Sequence, residues 1–596
     1  MNRIKLALVL LLAAIPAAAQ SYRERLPEDE VIYFLLPDRF DNADPANDRG
    51  GLAGDRLRTG FDPTDKAFYH GGDLKGVLRR LDYIQRLGVT ALWLAPVFKN
   101  QPVQGQPGHE SAGYHGYWIT DFTTVDPHFG SEADFRALVN AAHARGLKVY
   151  MDIVVNHTAD VIRYRECTAA PCTYRSRGDY PYTRDAGTGA PINAGFEGDG
   201  VQTQENFARL TNSAYAYTPY VPPAKAHVKV PDWLNDPIYY HNRGDSTFEG
   251  ESSTMGDFSG LDDVMTENPR VVAGFIEIYA SWIDRFGIDG FRIDTARHVN
   301  PEFWQAFVPA IRARAAAHGI PNFHMFGEVA LDDVDLLAVH TRVDKLPAVL
   351  DFAFRRAVLD TVAGGAGTDR LARWLAGDAL YEGGEGAARR LPTFTGNHDA
   401  GRFAHFVRAA FPHASGGEQL RRSMLANAML FGLRGVPTVY AGDEQGFVGH
   451  GGDQDAREDQ FGARVASYND NRLLGTTANT ATARFDREHP LYREIARLAA
   501  IRTATPALRR GRQQLRFASA KPGLFAVSRF DPATGREVLL AYNTSSAPLH
   551  AAVEVETRSR KFAGLIGPCP ARVWTPGSVA IDLPPLGFAI CQADAR

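Results

Sequence analysis

Eight short runs of aliphatic and aromatic residues punctuate the chain at 31–36, 89–94, 147–155, 288–294, 323–328, 348–352, 392–395 and 436–440. Between several of them apolar residues recur at helical spacing, as in Leu74, Val77, Leu78, Leu81, Ile84 and Leu87, which end at Gly88. This alternation constrains the fold most, because strand–helix–strand repeats demand parallel strands with helices packed outside. Ser131 and Asp134 form a capping-box pattern that opens a helix stopping at Gly146, and Asn268-Pro269 opens another. Eight such strands are the arithmetic of an α/β fold, a (β/α)8 TIM barrel.

Two regions break the pattern. Residues 158–255 are rich in Gly, Pro, Tyr and Asn, lack a long helical period, and exceed the length of an ordinary βα loop. They are expected to form an inserted subdomain after strand 3. After Leu508 the helical period ends, and 514–590 alternates apolar and polar residues between turns, which predicts an antiparallel β-sandwich domain. The expected divisions are 28–157 and 256–508 for the barrel, 158–255 for the insertion and 512–594 for the β domain.

The first residues carry two positive charges, a short apolar run and an A-x-A ending at Ala19, the pattern of a signal peptide over 1–19. The apolar run is too short to span a bilayer, so a secreted or periplasmic mature chain without a membrane anchor is expected. Four cysteines in an exported chain suggest disulfides, with Cys167–Cys172 and Cys569–Cys591 the most local pairing. A metal site is the weaker reading, since neither pair has C-x-x-C spacing or nearby histidines; free thiols stay open. Lys+Arg 65 against Asp+Glu 69 leaves a net charge of −4, which provides no basic field for nucleic acid.

In a barrel of this kind chemistry sits at the C-terminal strand ends. There the chain places Asp152, Asn156 and His157, then Arg292, Asp294 and His298, then Glu328, then His398 and Asp399. Arg292 and Asp294 are two apart in a strand and share one face. A lone carboxylate would read as a cap or a surface charge, but carboxylates on three strands, each within an apolar run, point to a site.

The motifs Asp152-Ile-Val-Val-Asn-His157, Gly290-Phe-Arg-Ile-Asp-Thr-Ala-Arg-His298, Phe326-Gly-Glu-Val329 and Phe394-Thr-Gly-Asn-His-Asp399 resemble the α-amylase superfamily, glycoside hydrolase family 13. The resemblance covers roughly 28–594 and includes 435–444 as the eighth strand. It implies Asp294 as nucleophile, Glu328 as general acid/base and Asp399 as transition-state stabiliser of a retaining glycosidase. Arg292 beside Asp294 should hold the nucleophile ionised, while desolvation and neighbouring carboxylates should raise Glu328. The resemblance adds Tyr117 as a sugar-stacking ring, within Gly113-Tyr-His-Gly-Tyr-Trp118, and Trp118, His157, Arg292, Arg297, His298 and His398 as substrate residues.

It also implies one or two Ca2+ sites. Asn42, Asp44, Asn47, Asp48, Gly71 and Asp73 supply clustered oxygens that suit a hard cation, with turn-forming Asx residues as the plainer reading. A second set would join Asn156, Asp263 and the carbonyl of His298. The implied activity is endo-hydrolysis of α-1,4 bonds in starch or maltodextrin, with an α-glucan as partner. Arg297-His298 favours an α-amylase. The segment 452–457, Gly-Asp-Gln-Asp-Ala-Arg, resembles the cyclomaltodextrinase/neopullulanase group and keeps such a hydrolase or a glucanotransferase as the alternative. A non-catalytic amylase-like binding protein is the remote one.

Overall fold

A computed structural model describes residues 22–167, 171–570, 572–573 and 575–594. The expected leader, 1–19, lies outside the described residues. The barrel strands are β1 (Ile32–Leu35), β2 (Ala91–Leu94), β3 (Lys148–Ile153), β4 (Gly290–Ile293), β5 (His324–Gly327), β6 (Pro392–Thr393) and β7 (Val436–Tyr440). They are parallel and ordered β5-β4-β3-β2-β1-β7-β6. Every residue of these strands is buried, as expected where barrel interior and helices cover both faces.

The ring closes through the segment predicted as the sixth strand. It makes only two bridges, Gly327 with Val349 and Asp351 with Thr393. Phe352, placed by the sequence at that strand's end, instead begins the helix Phe352–Val358. The cause is local: the Asp351 carboxylate accepts from Phe354 N at 2.8 Å and caps the helix before a ladder can extend.

Helix boundaries follow the sequence signals with one exception. Ser131 and Asp134 make the expected capping box, and the Asn268 side chain accepts from Arg270 N to cap Pro269–Phe286. The single helix predicted from Leu74 to Leu87 is split into Leu74–Arg79 and Leu81–Arg86. Arg80, between them, is drawn aside where its Nε donates to Asp41 Oδ2 at 2.6 Å.

The region after β3 has its own small core of Tyr182, Phe196, Phe207, Leu210 and Tyr215, packed with Met265. It is tied to the barrel where His157–Thr158 pairs antiparallel with Asp262–Asp263. The C-terminal domain packs a five-stranded antiparallel sheet, with Leu524–Phe530 and Glu537–Asn543 near its centre, against the pair Leu549–Glu554 and Ser578–Leu583. Side chains from both sheets form one core, the expected sandwich. The domain docks closely on the barrel helix Gly416–Gly432: a Cβ at Gly432 would lie 2.4 Å from the Tyr542 hydroxyl. The disulfides are Cys167–Cys172 and Cys569–Cys591, the local pairing.

Candidate active site

The register of β3 against β4 sets Arg292 directly beside Asp152. Asp294 follows at the end of β4, and Thr295 then turns at φ 47°, a left-handed backbone that ends the strand abruptly. Glu328 stands at the same level just past β5, its N–H donating to Ile293 O. All three carboxylates meet one guanidinium. Arg292 Nη1 donates to Asp152 Oδ1 at 2.8 Å and to Asp294 Oδ1 at 2.7 Å, while Nη2 lies 2.7 Å from Glu328 Oε1.

Asp152 is further held by Trp93 Nε1 at 3.1 Å and by the Tyr117 hydroxyl at 2.9 Å. Asp399, on the loop after β6, has separate partners. Arg457 Nη2 donates to its Oδ1 at 2.8 Å, and His398 Nε2 lies 3.2 Å from its Oδ2. Arg457 also pairs with Asp453 at 2.6 Å and accepts its orientation from Tyr114 and the carbonyl of His398.

These environments separate the carboxyls. Burial, reinforced by Asp294, Asp399 and Asp152, outweighs Arg292 and pushes Glu328 up to about 8. Burial and Asp294 likewise push Asp152 up to about 7 against Arg292. For Asp399 burial acts upward, but His398, Arg457 and Arg292 together hold it down at about 2. Burial keeps the imidazole of His398 neutral, pushed down to about 3. One carboxyl is therefore a proton donor at neutral pH and another an anion, a division suited to acid–base work.

A cleft of about 520 Å³ opens above these groups, lined by Tyr117, Trp118, His157, Arg297 and His298 with Asp294, Glu328 and Asp399. Asp399 is the most open of the three, 45% exposed against 9% for Asp294 and 12% for Glu328. His157 stacks on Phe258 and its Nε2 has no partner among the described residues, a polar atom that a ligand hydroxyl would satisfy. His298 Nδ1 is held by Ser253 O at 2.7 Å, and burial pushes the ring down to about 4. Arg292 and His398 lie fully buried beneath the lining, touching its members and not the open space. The Tyr117 ring lies nearly parallel to the rings of His115 and His398, its centroid 5.6 Å from each.

Sequence reasoning assigned no role to Arg457, Tyr114, His115 or Phe258. Arg457 carried a signal as the last residue of the 452–457 motif, and Tyr114 and His115 as members of the 113–118 segment; Phe258 carried none.

The two predicted cation sets differ. No group of three or more His, Cys, Asp or Glu side chains gathers as metal ligands among the described residues. In the first set, Asn42 Oδ1 and both amide atoms of Asn47 are buried without partners. Burial pushes the nearby Asp48 up to about 6. Gly71, at φ 99°, lets the chain close on Asp48, since a Cβ there would lie 2.6 Å from its Oδ1. Orphaned oxygens around an uncompensated carboxylate fit a hard cation. Asp73 and Asp44 are otherwise engaged, Asp73 accepting from three backbone amides and Asp44 pairing with Lys75 at 2.6 Å.

The second set fits poorly. Asp263 already faces His241 Nδ1 at 2.6 Å, and Glu267 lies 2.9 Å from the other ring nitrogen. Burial opposes charge on this ring, but Glu267 and Asp263 outweigh it and hold it up at about 10, so Asp263 has its counter-charge. The Asn156 amide nitrogen is 3.3 Å from His157 Nδ1.

A family model described as alpha amylase, catalytic domain, matches residues 34–511. An alpha-amylase of Streptomyces lividans is 45% identical over 547 residues, 91% of this chain and 58% of that protein. The chain thus spans little more than half the length of that relative. Among solved structures, an alpha-amylase of Geobacillus thermoleovorans complexed with acarbose gives a TM-score of 0.68 at 25% identity, covering 96% of this chain and 100% of its own. A cyclomaltodextrin glucanotransferase with a three-domain ABC distribution gives 0.70 at 25% identity, covering 95% and 99%.

Removing the shared cation tests the electrostatic arrangement. Arg292→Met strands buried carboxylates without a counter-charge and is expected to cost about 3–5 kcal/mol in urea unfolding at neutral pH. An unchanged unfolding midpoint would show that Arg292 is not what holds the cluster.

Proposed function

The chain belongs to the α-amylase catalytic-domain family, and from that premise we propose that it is a retaining glycoside hydrolase cleaving α-1,4-glucosidic bonds of starch and maltodextrins. The observation that carries this reading is the single guanidinium of Arg292 holding Asp294 and Glu328, each at 2.7 Å, at the floor of an open cleft.

In this reading Asp294 attacks the anomeric carbon as Glu328 gives its proton to the leaving glycosidic oxygen. A covalent glycosyl–enzyme forms and the aglycone departs. Glu328, now ionised, takes a proton from water, whose oxygen displaces Asp294 and restores both carboxyl groups. Asp399, anionic and open to the cleft, would bind ring hydroxyls as the sugar flattens toward the oxocarbenium ion. Tyr117 would offer its face to the apolar side of that ring, and His157 Nε2 a hydrogen bond. Arg292 positions the carboxylates, and Trp118, Arg297 and His298 line the approach.

A cyclomaltodextrinase-like hydrolase or a glucanotransferase is the second reading. It is favoured by Arg457 of the 452–457 segment, which sits against Asp399. A product profile on soluble starch, β-cyclodextrin and pullulan separates the two.

We include two further elements in the proposal. A Ca2+ ion would sit at Asn42, Asn47, Asp48 and the carbonyl of Gly71, tying the loop after β1 to the turn before Asp73. Asp263 and Asn156 are left out, His241 supplying the charge there. Export past a leader cleaved near Ala19 is the other element; two disulfides suit an oxidising compartment, and no helix among the described residues is long and apolar enough to cross a membrane.

Asp294→Asn is expected to abolish reducing-sugar release from starch while leaving the circular dichroism spectrum unchanged; retained activity would remove Asp294 as nucleophile. The pH profile follows from Glu328. Its protonated form is the active one, so kcat/KM should hold below about pH 8 and fall about tenfold per unit above it. A flat profile to alkaline pH in folded protein would take the acid role from Glu328. Dialysis against a chelator should lower stability by about 2–3 kcal/mol relative to saturating calcium, an effect absent in Asp48→Ala. Equal stability with and without calcium would sink the cation site.

A further inference from the structure

A second cavity, about 620 Å³, lies beside the catalytic cleft on the flank of the barrel mouth. It is formed where the helix Val334–Arg342 meets the helices Phe352–Val358 and Asp369–Ala376. The two spaces share one loop. Leaving Glu328, the chain lines the catalytic cleft at Ala330 and the second cavity at Asp332, two residues on. Two residues of extended chain reach at most about 7 Å, so a polymer leaving the cleft on this side meets the trough almost at once.

The floor is small and apolar, with Ala353, Ala357 and Gly377 around Trp374. Trp374 is fixed in place, its Nε1 donating to Asp351 Oδ2 at 3.2 Å. The rim is polar and carries both signs: Arg356 Nε lies 2.9 Å from Asp360 and its Nη1 3.9 Å from Asp332. Two rim groups on different helices remain unengaged. The exposed side chains of Arg370 and Asp335 have no hydrogen-bond or ion-pair partner among the described residues, so one helix offers donors and the other acceptors. An apolar floor beneath a rim of balanced donors and acceptors suits a neutral polyhydroxylated chain. Four aspartates and three arginines line the trough, so the small surplus is negative and an anion finds little hold.

We propose that this trough is a distal subsite for the same α-glucan chain whose scissile bond lies over Asp294 and Glu328. The proposal rests on the glucan-hydrolase reading and adds a length preference to it. A long chain gains contacts beyond the cleft, whereas a short oligosaccharide fits the cleft alone. Since the trough does not touch the reacting atoms, its worth appears in KM for long substrates and leaves the chemical step unchanged.

The test compares soluble starch with maltotetraose, using the full chain and two surface variants. Ala376→Trp fills the trough from an exposed position, and Arg370→Ala removes the free donor. Both are expected to raise KM for starch about tenfold, the worth of a hydrogen bond to a charged group, with kcat and all maltotetraose constants unchanged. Starch constants equal to wild type in both variants would overturn the proposal, as would a parallel loss on both substrates. A wild-type chain inactive on every α-glucan would instead sink the functional reading on which the trough's ligand depends.

Discussion

One buried guanidinium sets the terms for everything at the barrel mouth. Arg292 brings a single positive charge to Asp152, Asp294 and Glu328. One cation cannot compensate three anions in a medium that solvates charge poorly, so part of the negative charge must be removed by protonation. Burial and like charge direct that proton to Glu328 and Asp152. Asp399 escapes because His398 and a second arginine, Arg457, face it and because it opens to solvent in the cleft. The contrast between an acid and an anion therefore arises from how two arginines are shared among four identical functional groups, and not from carboxylate chemistry.

That sharing requires geometry fixed to a few tenths of an ångström, which strands supply better than loops. Asp152 and Arg292 are neighbours in the β3–β4 ladder, so their contact is fixed by the register of the barrel itself. Much of the cleft's remaining wall comes from segments after β2, β3, β6 and β7, which carry Tyr117, Phe258, Asp399 and Arg457. These can vary without moving the charged floor, and the trough beyond Glu328 is likewise built outside the strands, from helices around the ring.

The barrel was legible because its strands are buried on both faces and read as continuous apolar runs. The sixth was misread in form: 348–352 has the right composition, but Asp351 caps a helix, and capping is decided by one hydrogen bond that hydrophobic pattern does not register. The split at Arg80 has a similar origin, since the pull comes from Asp41, far away in sequence. Asp294, Glu328 and Asp399 were legible as polar residues ending apolar strands and matching family motifs. Arg457 was not, because it meets Asp399 across 58 residues of chain and nothing local marks it as a partner.

The cation sets show why motifs alone cannot identify a metal site. Asp48 is half-buried and Asp263 buried, and sequence reasoning placed each in a cation set with an asparagine. What separates them is whether a protein cation arrives. His241, 22 residues before Asp263, enters between that carboxylate and Glu267 and already brings a positive charge to the place a metal would take. Beside Asp48 the structure brings more acids, Asp38, Asp73 and Asp44, which add to the burial that raises it. The same bookkeeping of local charge explains the near-neutral chain. At the trough arginines and aspartates meet at close range, at the insertion a histidine serves two acids, and an imbalance survives at the floor of the cleft, where leftover negative charge helps to raise Glu328. The neutral substrate proposed for the cleft suits that economy, because its capture would require no field reaching beyond the cleft.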